Sequence, residues 1–314
     1  MKKVSWQIVL LASLTALLGG IAAGVGFFMD NPGEPFAFTT LRGQTVEIYG
    51  RGLYQLDTLF TAAGYRGQDA VALFLGVPLL VIAILLYQRG SIVGHLMLTG
   101  LLGYFLYLYS SMALGAAYNP IFVVYVAAFA TSLFAFILSF NDAVLRLTGL
   151  NVVDEVPRVN LVVFMFVAGA VTLFVWGGPI VSALMEGVPP DRLDSYTTMV
   201  TYALDLAVIT PATFICASLI LRKKSVGVVL AVPLLTLLVM LTPQIILSTI
   251  FQRQEGVPFT VGEMVGPVAG FVVLGGIALW LLVSVLRSAL LVMLTPQIIL
   301  STIFQRQEGV PFTV

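Results

Sequence analysis

Long apolar runs, separated by short polar segments, dominate the pattern of this chain. A helix needs about 20 apolar residues to cross the ~30 Å hydrocarbon core of a bilayer. Eight runs are long enough: Ile8–Phe28, Ala70–Tyr87, Ile92–Leu114, Ile121–Phe140, Leu161–Leu184, Thr198–Leu221, Val226–Phe251 and Met264–Leu286. The pattern therefore predicts an all-α fold, a polytopic transmembrane bundle of about eight spanning helices with a short ninth candidate.

The ninth candidate, Leu290–Phe304, has about 15 apolar residues, which would reach only ~22 Å as a helix. It belongs to a copied segment, because residues 290–314 repeat residues 237–261 letter for letter. The copy begins in mid-helix, whereas the repeats of transporters duplicate whole helices. We interpret the tail as a recent tandem duplication or a sequence-assembly error, and we expect the functional unit to end near Leu290.

The same pattern divides the chain into an amino-terminal helix, an extracytoplasmic cap, the remaining helix bundle and the duplicated tail. These are residues 1–29, 30–69, 70–289 and 290–314. In the cap, Phe36–Leu41 and Thr45–Tyr49 flank a glycine-containing turn, which predicts a β-hairpin. Leu53–Ala63 is predicted to form a short helix on the membrane surface. Because forty residues bury little core alone, we expect the cap to rest on the bundle.

Composition excludes a soluble protein. The chain is 59% hydrophobic and 10% charged, with a mean hydropathy of +1.04, whereas soluble domains are about half apolar and a quarter charged. Fifteen basic residues balance fifteen acidic ones, so no basic excess indicates nucleic acid as a partner. The predicted partners are the lipid bilayer and either a small solute or another membrane protein.

The basic residues predict the orientation, because cytoplasmic loops carry an excess of Lys and Arg. Placing Lys2 and Lys3 inside puts nine basic residues on that side and six on the other, with Arg222–Lys224 as the strongest anchor. We therefore predict a multi-pass protein of the bacterial cytoplasmic (inner) membrane with a cytoplasmic amino terminus. The first run exceeds the 7–15 apolar residues of a signal peptide, which favours an uncleaved helix over a cleaved one.

Metal, thiol and cofactor chemistry find no support in the sequence. It contains one His and one Cys, and neither C-x-x-C nor H-E-x-x-H occurs. Cys216 lies in an apolar stretch, and His95 at a helix end is more typical of an interfacial polar residue than of a proton relay. No metal site, cofactor or catalytic residue is predicted, and an enzyme is the least favoured class.

One acidic residue, Asp205, is predicted to lie well inside a span. A charge at the bilayer centre costs ~2.5–3.5 kcal/mol on insertion scales, so intramembrane acids usually face a partner or a water-filled cavity. With Thr201 and Tyr202 nearby, Asp205 is a candidate intramembrane polar site linked to a proton or a cation. The alternative is a hydrogen-bonded structural carboxyl close to the interface.

A second candidate site lies on the cap side. Arg51, Tyr54 and Asp57 combine charges with an aromatic ring, and Asn119 follows the tyrosine-rich end of the third helix. Such a group suits either a small ligand or headgroup, or a loop that satisfies its own polar groups. Elsewhere, Gly20-x-x-x-Gly24 and its counterpart at Gly266 predict close helix packing.

Two strings carry a resemblance to a known family. IYGRGLYQLDTLF (Ile48–Phe60) and GYFLYLYSSMALGAAYNPIFVVYVAAFATSLFAF (Gly103–Phe136) resemble an uncharacterised family of bacterial multi-pass membrane proteins over roughly residues 1–285. The resemblance implies a fold and no catalytic residues. The leading hypothesis for function is a small-solute or ion-coupled transporter. The alternative is a non-transporting sensor or assembly module that binds a ligand or partner through its cap.

Overall fold

The computed structural model describes residues 4–150 and 152–307, without the side chains of residue 263 and of residues 295–307. Within this part of the chain, eight helices are long and apolar enough to cross a membrane, which confirms the all-α polytopic bundle. They are α1 (Trp6–Phe28), α2 (Leu59–Gln88), α3 (Ile92–Gly115), α4 (Phe122–Leu147), α5 (Arg158–Glu186), α6 (Val200–Leu221), α7 (Ser225–Gln254) and α8 (Val261–Gln307). Short helical turns at Val152–Glu155 and Asp191–Leu193 lie in the connections before α5 and α6.

The helix α2 begins at Leu59, so the prediction of a surface helix over Leu53–Ala63 is wrong. Polar residues in its first half make this stretch resemble a loop by hydropathy, yet Gln68 and Asp69 are buried. In the structure, residues 29–58 connect α1 to α2.

Two of the spanning helices contain one π-helical turn each. In α2 the turn is Ala72–Gly76, and in α6 it is Asp205–Ile209. Pro78 and Pro211 follow these turns by two residues. Because proline lacks an N–H and its ring clashes with the carbonyl four residues earlier, it favours such a local change of hydrogen bonding.

The cap contains the predicted hairpin. Strands β1 (Phe36–Thr39) and β2 (Thr45–Ile48) pair antiparallel, with Phe36 opposite Ile48 and Phe38 opposite Val46. Side chains alternate across a strand, so these four apolar residues share one face of the hairpin and Glu47 lies on the other.

The centre of the bundle is α3, the most buried of the eight spans. It packs against α2, α4 and α7, whereas α1 packs against α2 and α4. Close helix contacts occur at glycines other than the predicted ones. At Gly20, Gly24, Gly266 and Gly270 an added Cβ would meet no described atom within 4 Å, so the packing role predicted for these four glycines is wrong.

The helix α8 is continuous from Val261 to Gln307. The described part of the duplicated tail therefore extends the eighth helix and does not form a separate ninth one. Residues 308–314 of the tail lie outside the described residues, as do Lys2 and Lys3, on which the predicted orientation partly depends.

Candidate functional site

Asp205 is the first residue of the π-helical turn in α6, and only 8% of its surface is exposed. Tyr107 of α3 and Trp176 of α5 present polar groups to its carboxylate. Among the described residues, no Lys, Arg or His forms an ion pair with it. A buried carboxylate without a cationic partner must be neutral, hydrogen-bonded or matched by a mobile cation.

The structure brings Tyr202 to this site and leaves Thr201 outside it. The Tyr202 ring packs on Trp176, with centroids 4.4 Å apart, one turn nearer the cap side than Asp205. Tyr202 also lines a cavity of about 400 Å³, together with Pro179 and other residues around the connection before α6. Neither Asp205 nor Trp176 lines that cavity. The side chain of Thr201 is exposed.

Asp69 of α2 is a second buried carboxylate of the bundle, one residue before the apolar run predicted from Ala70. It is 5% exposed, and the Tyr54 hydroxyl donates a 2.5 Å hydrogen bond to its Oδ2. A Cβ at Gly26 of α1 would overlap this carboxylate, so the glycine makes room for it. The signal that could have found Asp69 is the absence of a helix stop between Leu59 and Gln88.

Further polar groups lie next to Asp69 inside the bundle. Gln244 Nε2 donates to Gln68 Oε1 at 3.1 Å, and Gln68 Nε2 donates to Met112 Sδ at 3.1 Å. The side-chain oxygen of Gln244, Oε1, is buried and has no described partner. Helices α2, α3 and α7 therefore share a polar contact at the level of Asp69.

In the cap, Arg51 contacts the end of α7. It pairs with Glu255, whose Oε1 also accepts from Arg66 Nη1 at 3.1 Å and from the Tyr49 hydroxyl at 3.1 Å. Only 13% of the Glu255 side chain is exposed. Arg51 is thus engaged in holding the cap on the bundle.

The other three predicted cap residues converge around Tyr125 of α4, which Tyr54, Asp57 and Asn119 all approach. Asn119 Oδ1 accepts from the backbone N–H of Ile121 at 3.2 Å, ahead of the first turn of α4. These contacts agree with the alternative offered in the sequence analysis, a loop whose polar side chains bond to one another and to nearby backbone. Ligand binding by these residues stays a prediction.

Asp57 is almost fully buried, at 1% exposure. Its Oδ1 accepts from the Ala117 N–H at 2.9 Å and from the Tyr196 hydroxyl at 2.8 Å, while Oδ2 has no described partner. Desolvation by burial raises the pKa of Asp57 to about 6, and the two hydrogen bonds only partly oppose it.

We expect the stability of the wild-type protein to fall as the pH rises through the window from about 4 to 6. The folded state holds the Asp57 proton to a higher pH than the unfolded state, so ionisation opposes folding by about 2–3 kcal/mol above that window. Asp57→Asn removes this titration. Thermal unfolding in detergent, followed by circular dichroism, should show that the stability of the variant rises relative to that of the wild type between pH 4 and pH 7. A constant difference across that range would contradict the prediction, and the exposed Asp30→Asn serves as the control.

His95, in the first turn of α3, is fully buried against neighbouring helices. Its Nε2 lies 3.1 Å from the Ser139 carbonyl oxygen and 3.8 Å from Asp142 Oδ2, and Asp142 also accepts from Arg146 Nε at 3.0 Å. This cluster lies at the end of the bundle opposite the cap, far from Asp205.

Among the described residues, no group of three or more His, Cys, Asp or Glu side chains is arranged to hold a metal ion. No protein-family model, curated protein or solved structure matches the chain. The case for a function therefore rests on the geometry alone.

Proposed function

We propose that this protein is an ion-coupled transporter of small solutes in a bacterial cytoplasmic membrane, with Asp205 as its coupling site. The observation that carries the proposal is a buried carboxylate inside a spanning helix with no described cationic partner. Ionisable residues at such positions commonly mark ion or substrate pathways. An unmatched carboxylate can bind a proton or a small cation and release it when its surroundings change.

The backbone around Asp205 supports this role. The π-helical turn Asp205–Ile209 and Pro211 interrupt the regular hydrogen bonds of α6, and π-helical turns occur frequently at functional sites. The hydroxyl of Thr210, the residue after this turn, is buried without a described partner. Interrupted spanning helices supply the polar groups that line ion sites in many transporters.

The aromatic pair Trp176 and Tyr202 supports access from the cap side. Tyr202 packs on Trp176 and also lines the 400 Å³ cavity, which Asp205 does not line. In this proposal, a rotation of Tyr202 opens a path between that cavity and the carboxylate. Controlled access from one side at a time is what coupled transport requires.

The predicted orientation belongs to this proposal. With the amino terminus in the cytoplasm, Arg222–Lys224 lies inside and the cap faces outward. The excess of basic residues on the inner side supports this placement.

The test is ion flux in liposomes that contain the purified protein. An imposed pH or sodium gradient is followed with a pH-sensitive dye inside the vesicles and with radioactive sodium. We expect Asp205→Asn to lower the flux at least tenfold, which corresponds to ~1.4 kcal/mol. Asp154→Asn is the matched control, because Asp154 is exposed at the opposite end of the bundle and pairs with Lys223.

Folding of both variants is checked through Cys216, the only cysteine of the chain. Its thiol is buried, so a thiol-reactive fluorogenic dye labels it when the bundle unfolds. Wild-type flux in a folded Asp205→Asn variant would overturn the proposal, as would the absence of both proton and sodium flux in the wild type.

A cavity beneath the cap hairpin favours the alternative function, ligand binding by the cap. It measures about 520 Å³ and is lined by the hairpin, the end of α3 and the connection before α6. Ligand pockets in proteins commonly measure about 300–1,000 Å³. This site does not include Asp205 and can operate whether or not ions cross the bundle.

A further inference from the structure

We infer that the cavity beneath the cap hairpin holds a hydrocarbon chain of a bilayer lipid. The inference rests on the second candidate function, ligand binding by the cap, and it does not depend on Asp205. The walls come from the apolar face of the hairpin, from the last turn of α3 and from residues 195–198 and Val200.

The walls are largely apolar and carry no formal charge, and their polar side chains are the hydroxyls of Ser195, Tyr196, Thr197 and Thr198. None of the described lining residues is Asp, Glu, Lys, Arg or His. Phe36 and Phe38 retain 48% and 45% exposure on the face of the hairpin that turns toward the bundle, whereas Ile48 on the same face is 4% exposed. Protein interiors leave few voids larger than a water molecule. Two half-exposed rings over a space of this volume therefore favour an apolar occupant.

The position of the cavity indicates the bilayer as the source. Gly115 is the last residue of α3 and Val200 is the first residue of α6, so the cavity lies where the hydrocarbon core meets the headgroups. Leu114 and Leu56 line it and are 61% and 54% exposed, which continues the lipid-facing surface into the cavity. A chain that enters from the membrane keeps its charged headgroup outside these uncharged walls.

Arg42 holds the tip of the hairpin over the cavity. Its Nη2 donates to the backbone carbonyls of Asp194 at 2.6 Å and Tyr196 at 3.0 Å. Tyr196 lines the cavity and donates to Asp57 behind the wall. Arg42 therefore ties the hairpin turn to the connection before α6, and we expect this tie to slow the exchange of a chain.

The probe is a phosphatidylethanolamine with a photoreactive diazirine near the end of one acyl chain, incorporated in liposomes with the protein. After illumination, mass spectrometry locates the cross-linked peptides. We expect enrichment in residues 36–48 and 195–200. Ala116→Trp places an indole in the cavity, and Phe38→Glu places a charge in its wall. Each should lower these cross-links about tenfold.

Leu41→Trp is the control, since Leu41 lies on the same hairpin, is fully exposed and does not line the cavity. Arg42→Gln should leave the final yield of cross-links unchanged and speed the exchange of the cavity lipid with the surrounding bilayer roughly tenfold, because two hydrogen bonds are weakened. Labelling of Cys216 confirms that each variant is folded.

Cross-links spread evenly over the lipid-facing helices would overturn the inference. Wild-type cross-linking in both Ala116→Trp and Phe38→Glu would do the same, as would a non-lipid molecule found tightly bound to the purified protein. Ion flux in the same liposomes separates the proposals. Flux that depends on Asp205 without hairpin cross-links removes the lipid site alone, and hairpin cross-links without flux remove the transporter alone.

Discussion

Replacing Gly67 with valine should abolish the folded bundle. A Cβ at Gly67 would stand 2.6 Å from the Cα of Ser248 and 2.7 Å from the carbonyl carbon of Leu247 in α7. These are backbone atoms of a packed helix, which cannot rotate aside as a flexible side chain can. Helices α2 and α7 would have to separate. Overpacking typically costs about 1–3 kcal/mol and occasionally more, and we expect ~3 kcal/mol or more here because the backbone cannot yield.

Separation of the two helices would also break their hydrogen bonds. Ser248 Oγ donates to the Gly64 carbonyl at 2.8 Å, and Gln252 Nε2 donates to the Phe60 carbonyl at 3.0 Å. Both bonds lie within two turns of Gly67, so the steric effect and the loss of polar contacts reinforce each other. The loss of folding stability is therefore larger than for a clash at a position without such hydrogen bonds nearby.

The experiment compares the temperature at which a thiol-reactive dye reaches Cys216. Gly67→Val should yield protein that is labelled already at low temperature or that does not survive extraction into detergent. Gly24→Val makes the same chemical change in α1, where a Cβ would meet no described atom within 4 Å, and it should unfold near the wild-type temperature. Equal behaviour of the two variants would contradict the observed packing of α2 on α7.

Hydropathy predicted the existence of the eight spans because each crossing needs a long apolar run, and this requirement is visible locally. It failed at α2, where Gln68 and Asp69 are polar yet buried. Gln68 forms a hydrogen bond with Gln244, and Asp69 forms one with Tyr54, so both polar groups have partners in the folded protein. A method that scores each residue by its own transfer energy cannot see such compensation, so it began the second helix at Ala70 and not at Leu59.

The candidate sites depended on contacts between distant parts of the chain. Asp57 and Tyr196 are 139 residues apart in sequence, and Arg51 and Glu255 are 204 apart. Residue types and local spacing identified Asp57 and Arg51 as unusual but carried no information on their partners. The cavity beneath the hairpin could not be predicted either, because its walls come from three separate segments of the chain.

Glu255→Gln should release the cap from the bundle while the spanning helices stay folded. The carboxylate of Glu255 is shared by Arg51, Arg66 and Tyr49. Glutamine keeps one oxygen for the tyrosine hydroxyl but removes the charge that holds two guanidinium groups at one place. Losing one partner of a largely buried ion pair costs about 3 kcal/mol, since the remaining charges stay partly desolvated and now repel each other.

Limited digestion with trypsin, which cuts after arginine, measures this release. In liposomes or detergent, we expect cleavage at Arg42 and Arg51 in the cap to become at least tenfold faster, as a local opening that is ~3 kcal/mol easier would allow. Glu47→Gln removes a carboxylate from the exposed outer face of the same hairpin and should leave cleavage unchanged. Cys216 should remain protected in both variants, because the cap opens without unfolding the bundle. Equal cleavage rates for Glu255→Gln and Glu47→Gln would mean that the hydrogen bonds of Tyr54 and Asp57, rather than the ion pairs of Glu255, hold the cap in place.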